Sequence, residues 1–321
     1  MHTLIEQFMQ HLTAQERLDT VRSYASNLRR FDEWSASNGL DIVKAGTEDL
    51  QRFQRWLAED YRQADGSKIT KGTQRTILFA VKSLYAWMER RGLVLVNVAR
   101  KVKVPKSRLR ITQKDFLSLQ EVTAMLQTQA ARIERLREGC HAWAKEYRTL
   151  ALLCIIISTG RRRTRLLELR VQDLNFERCE LRIEKEKGKA GRVLPVAAWA
   201  VAVTQKYVQK ARPVLDWDEG NDFLFPGDKA SRLGKETLNQ IIQKVHRQTT
   251  EENPDLTELA AKHLTPHCMR VSFAKLLFTN GCNIRSINEL MLHQKLSTTA
   301  IYTPIALEEL LRACRQAHPR A

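Results

Sequence analysis

Apolar residues recur at helical spacing through the first third of the chain. Leu4, Ile5, Phe8, Met9 and Leu12 form one stripe, and Leu18, Val21, Tyr24, Leu28, Phe31 and Trp34 a second that ends near Gly39. Leu50, Phe53, Trp56 and Leu57 mark a third. A fourth runs from about Thr70 through Ile77, Val81, Leu84, Tyr85 and Met88 to Gly92. Recurrence at three and four residues puts such side chains on one helix face. Residues 1–105 therefore read as a helical domain of four or five helices, with its aromatic residues in the core.

Periodicity fades at residues 100–110, which hold several positive charges around Pro105. We read 106–115 as a basic linker and 116–321 as a second domain. Ser118 and Glu121 have the spacing of a capping box, which opens a helix through Val122, Met125 and Leu126. A charged helix is expected over 132–146 and a buried one over 147–157, ending at Ser158-Thr159-Gly160. Residues 179–184 and 192–196 read as two strands joined by a glycine-containing turn. Helices follow over 197–211 and 236–249, with a short strand at 223–227 between them and a polar connection over 251–262. Thr265 is placed to cap a helix with Pro266 in its first turn, where a missing N–H costs nothing. Two amphipathic segments, 271–279 and 284–292, flank Asn280-Gly281-Cys282, and 307–313 has the pattern of a short amphipathic helix. The expected fold is mainly α with a small antiparallel sheet: a helical N-terminal domain and a mixed α/β second domain.

Composition narrows the function. The 321 residues carry a formal net charge of +17 with 43% hydrophobic and 28% charged residues. Such a chain builds real cores and attracts a polyanion, which points to nucleic acid. Arg22, Arg29, Arg30, Lys68, Lys71, Arg75 and Lys82 fall largely outside the apolar stripes, where together they suit a phosphate-tracking face. The six cysteines form no Cys-x-x-Cys pair, so they read as reduced residues, neither a disulfide framework nor a zinc site. The start lacks a signal-peptide core, and the longest apolar run, 150–157, is too short to span a bilayer. The expectation is a cytoplasmic, nucleoid-associated bacterial protein with no membrane partner.

Candidate chemistry gathers between Thr265 and Thr303. His267 and Arg270 lie three apart and share a helix face, an imidazole and a guanidinium suited to a phosphate. After two amphipathic segments come His293 and, nine residues on, Tyr302. Upstream stand Thr159-Gly160-Arg161-Arg162, with Leu166, Leu169 and Asp173 downstream, and Lys187 in the hairpin turn before Gly188. Taken together these motifs resemble the signature of tyrosine recombinases, the phage-integrase-like family. The resemblance covers essentially the whole chain, with its specific motifs confined to the second domain. It implies a SAM-like core-binding domain, a tyrosine-recombinase catalytic domain, and catalytic positions at Arg162, Lys187, His267, Arg270, His293 and Tyr302.

The residue types fit the reaction that the resemblance implies. Two guanidiniums, Arg162 and Arg270, clamp the non-bridging oxygens of a phosphodiester through forked hydrogen bonds and stabilise the charge that builds in the transition state. Tyr302 attacks phosphorus. A phenol of pKa about 10 needs a positive field and an acceptor, and His267 is the candidate. Lys187 protonates the departing 5′ oxygen, and His293 donates to a phosphate oxygen. The implied product is a 3′-phosphotyrosine whose bond energy is retained, so neither nucleotide cofactor nor metal is expected. The resemblance also implies double-stranded DNA with paired recombination sites, a homotetramer on DNA, a Holliday junction, and an accessory bending or directionality protein as a partner. Residues 307–313 are then a candidate for docking into a neighbouring protomer.

Three positions depart from the family pattern. Arg165 stands where an acid is usual, with Glu168 the candidate to compensate. The arginine run leaves a neighbour of Arg162 open as the phosphate ligand. Val271 replaces a frequent second histidine, and Leu292 a common glycine. Two alternatives stand beside this reading: a type IB topoisomerase-like relaxer, which shares the chemistry, and a catalytically silent DNA-binding regulator on the same fold.

Overall fold

A computed structural model of the chain describes residues 2–15, 18–105, 116–183, 191–215 and 220–292. The chain divides into two compact units, the first ending at residue 109 and the second beginning at 110.

The first unit is built on α1 (Thr3–Ala14), α2 (Leu18–Ser37), α3 (Thr47–Glu59) and α4 (Lys71–Arg90), followed by a 3₁₀ turn at Val98–Lys101. Its apolar stripes meet in one core. Ile5, Phe8, Leu28, Phe31, Leu50, Phe53, Ile77 and Leu84 are all buried there. The rings of Phe31 and Phe53 meet edge-on with centroids 5.0 Å apart, an arrangement favoured by the aromatic quadrupole. Tyr85 is fully buried, and its hydroxyl donates to the Ile42 carbonyl at 2.8 Å, so no polar atom is stranded. Thr70 caps α4 by accepting from the Thr73 amide at 3.1 Å.

The second unit surrounds α6 (His141–Thr159), whose residues Leu150 to Ile157 are buried on every side. Around it pack α5 (Leu119–Glu134), α8 (Ala198–Lys206) and α12 (Pro266–Thr279). The remaining helices are α7 (Arg163–Leu167), α9 (Arg212–Leu215), α10 (Lys235–Glu252), α11 (Thr257–Ala260) and α13 (Ile284–Leu290). A three-stranded antiparallel sheet runs β1 (Leu174–Asn175), β2 (Glu180–Ile183), β3 (Arg192–Pro195), with Leu181 opposite Leu194. Among the described residues no helix is long and apolar enough to cross a membrane.

Several expectations need correction. The charged helix expected over 132–146 does not exist as such. α5 stops at Glu134, and Gly139 turns the chain at a φ of 84°. Cys140 then caps a single helix that changes from amphipathic to wholly buried along its length. Residues 223–227 form only one bridge, Phe223 with Arg170, because the chain bends at Leu224 and Phe225 directly after it. The helix expected to end at residue 211 continues through a π turn at Tyr207–Ala211 into α9. β1 was not anticipated; two residues are too few to show an alternating pattern.

The connection 251–262 is more than polar. It contains α11 and ends in Lys262, whose ammonium lies 2.6 Å from the Glu121 carboxylate with both side chains at most 4% exposed. The capping box is present, and Glu121 thereby serves twice. It accepts from the Ser118 amide at 2.7 Å at the start of α5 and holds Lys262 on the approach to α12. Removing one partner of such a pair leaves a buried charge uncompensated. Lys262→Met should therefore destabilise the second unit by roughly 3–5 kcal/mol in denaturant unfolding, and pairing it with Glu121→Gln should recover part of that loss.

Candidate active site

The site begins where α6 ends. Gly160 caps that helix in the left-handed conformation, φ 57°, and its amide donates to the Ile156 carbonyl at 2.9 Å. A glycine is required twice over. The conformation is costly for residues with a Cβ. A Cβ here would also lie 2.4 Å from the ring of Phe273 on α12. This close approach seats α12 against the turn that leads into the arginine run.

The turn then sorts its arginines. Arg161 is buried at 7% exposure, whereas Arg162 is exposed and extended (φ −64°, ψ 142°) as the residue capping α7. Its carbonyl accepts from the Leu166 amide at 2.9 Å. Of the two residues after the glycine, the outer one faces solvent. Arg165 meets Glu168 at 2.9 Å, and Glu168 also lies 3.6 Å from Arg232. The cation standing in the usual place of an acid thus has a carboxylate within reach one turn on.

α12 supplies the second arginine. Thr265 caps it, accepting from the Cys268 amide at 3.3 Å, and Pro266 occupies its first turn. His267 is exposed and Arg270 only 5% so, which makes the pair run from the rim into the interior. Arg270 donates through Nη1 to the Gly160 carbonyl and through Nη2 to the Met291 carbonyl at 2.6 Å. One guanidinium therefore ties three segments: the α6–α7 turn, α12, and the end of α13. Ser272, two residues along α12, is also buried and accepts from the Leu117 amide at 2.7 Å, which fixes the helix to the start of the unit.

The structure brings Arg270 to the turn that carries Arg162, with His267 on the rim beside it. Lys187, His293 and Tyr302 lie outside the described residues, as do Cys314 and residues 307–313. Lys187 belongs to the connection between β2 and β3, whose last described pair is Ile183 with Arg192. His293 follows Met291 by two residues in sequence. Among the described residues no group of three or more His, Cys, Asp or Glu is disposed to hold a metal. Three positions that organise the site escaped sequence reasoning: Phe273 packing on Gly160, Ser272, and the carbonyl of Met291. Only the glycine gave a signal, through its place at a helix end.

Leu292 has φ 53°, so this chain places a branched side chain in a left-handed conformation just past α13. Replacing it separates side-chain packing from backbone strain. Leu292→Gly should be more stable than Leu292→Ala by about 1 kcal/mol, since only glycine adopts this φ without the roughly 1–2 kcal/mol cost of a Cβ. Thermal unfolding of the two variants side by side is the check.

Comparison with known proteins places these features in a wider set. The pattern that defines the phage integrase family matches residues 127–309, and that of the phage integrase N-terminal SAM-like domain matches residues 5–92. A tyrosine recombinase XerC of Pelobacter propionicus is 30% identical, the match covering 100% of this chain and 98% of that protein. A tyrosine recombinase XerD of Haemophilus influenzae is 27% identical over 99% of this chain and 98% of that protein. Among solved structures, the XerH site-specific recombinase bound to a difH substrate superposes with a TM-score of 0.64 at 20% identity, over 92% of this chain and 78% of that one, a likeness of fold.

Proposed function

The chain belongs to the phage integrase family of tyrosine recombinases, which are DNA breaking–rejoining enzymes, and from that premise we propose that it exchanges strands between paired duplex sites through a covalent link at Tyr302. The phenol oxygen of Tyr302 attacks a backbone phosphorus, and the bond from phosphorus to the 5′ oxygen breaks. The phenol proton passes to His267, and Lys187 gives a proton to the departing oxygen. Arg162 and Arg270 neutralise the charge that gathers on the non-bridging oxygens, with His293 as a further donor. The product is a 3′-phosphotyrosine and a free 5′ hydroxyl. Attack by a 5′ hydroxyl from the second site reverses the chemistry and rejoins the strands, so two rounds pass through a Holliday junction held by four protomers. We assign the activity to a mobile element, either resolving dimers or cointegrates or integrating and excising.

One observation carries the reading: Arg270, buried, holds the turn two residues before Arg162 and the segment two residues before His293. A guanidinium has five N–H donors, so holding two carbonyls and reaching a phosphate oxygen are compatible roles. Burial raises the value of each such interaction, because competing water is excluded. The exposed His267 is open to the nucleophilic phenol or to a substrate phosphate, and Glu168 answers the charge of Arg165. That last pairing supports an active site over a silenced one.

Nicked suicide duplexes, built on sequences that the protein enriches from a random pool, give the test. We expect a protein–DNA adduct that survives denaturation, is absent with Tyr302→Phe, and forms on the order of a hundredfold more slowly with Arg162→Ala. Tight binding without an adduct would contradict the proposal and leave a DNA-binding regulator.

A further inference from the structure

The outer face of α4 in the first unit carries a feature that neither the core nor the candidate active site uses. Its inner face (Ile77, Val81, Leu84, Tyr85 and Met88) is spent on the core. Its outer face presents Lys71, Arg75, Phe79, Lys82 and Ala86, each three or four residues from the next. The helix holds no acid before Glu89, and Glu89 is paired with Arg100 at 2.7 Å. Lys71 opens the helix, where the backbone dipole already favours anions, an arrangement that costs stability in isolation.

In the midst of these cations stands Phe79, 42% exposed. It is the one exposed Phe, Tyr or Trp ring among the described residues of this unit. The Arg75 guanidinium lies over the ring, 5.0 Å from its centroid. That contact keeps the ring seated on the outer face and places a cation beside it. A partner for this face must be negatively charged along its length and yet offer an apolar group at its centre. Duplex DNA does both. Its major groove admits an α-helix between two rows of phosphates, and the apolar group on its floor is the C5 methyl of thymine.

We infer that, with α4 in the major groove of the recombination site, Phe79 is the residue that reads a thymine there through its methyl group. Lys71, Arg75 and Lys82 supply the sequence-independent attraction, and the ring supplies selectivity at one base pair. The inference rests on the proposed reading of the chain as a binder of specific duplex sites.

The test selects duplexes from a random pool with the full-length chain and with Phe79→Ala, then measures affinity for the wild-type consensus with deoxyuridine in place of each thymine in turn. We expect one thymine, fixed by the wild type, to become unconstrained with the variant while the rest of the motif persists. Deoxyuridine at that position should weaken wild-type binding about fourfold, the value of one buried methyl group, and leave the variant unaffected. The deoxyuridine series on the wild type requires no substitution, so poor folding of the variant cannot mask the answer. A consensus shared by both proteins, or wild-type binding indifferent to every deoxyuridine, overturns the inference alone. Failure of the wild type to enrich any duplex overturns both it and the reading on which it rests.

Discussion

A single buried guanidinium holds the α6–α7 turn, α12 and the end of α13 in register. Arg270 satisfies the carbonyl at the end of α6 and the carbonyl just past α13, two chain ends that nothing in their own helices would hold together. Helix ends leave carbonyls without internal partners, and a buried carbonyl without a donor is expensive. A forked, permanently charged donor presents a separate nitrogen to each carbonyl, whereas a lysine must reach both from one nitrogen. The same group bonds the turn that carries the exposed Arg162 and stands three residues along α12 from the exposed His267. In the proposed reaction, structural demand and chemical demand thus converge on one side chain.

Other interactions exist to put that guanidinium in place. Gly160 adopts its left-handed turn against Phe273, so that α12 and the arginine turn meet without a gap. Ser272 pins α12 to residue 117, and the Lys262–Glu121 pair fixes the chain just before α12 begins. Each is a contact between segments far apart in sequence. Together they give α12 a defined rotation as well as a defined position. That rotation is what sends Arg270 inward while His267, one turn earlier, stays at the rim.

Local signals were legible in the sequence, and long-range ones were not. Ser118 with Glu121 and Thr265 with Pro266 revealed their helix starts, because capping chemistry is encoded within four residues. The apolar stripes of the first unit gave its helices for the same reason. The break between α5 and α6 was hidden, since the charged residues on both sides of Gly139 continue a helical pattern across it. Lys262 reads only as the end of a polar connection, because its partner lies far back in the chain. The bonds from Arg270 go to backbone carbonyls, which every residue carries and no pattern distinguishes. The family motif identified Arg162 and Arg270 as candidates, while the geometry adds why Gly160, Phe273 and Ser272 flank them.

The most direct measurement is hydrogen–deuterium exchange on the full chain with Arg270→Lys. If the guanidinium is the common tie, exchange should quicken together in the α6–α7 turn with α7, and in α13, while α5, α8 and the first unit remain as protected as before. Loosening of only one segment, or unchanged protection in both, would contradict the account and leave Arg270 as an ordinary buried cation.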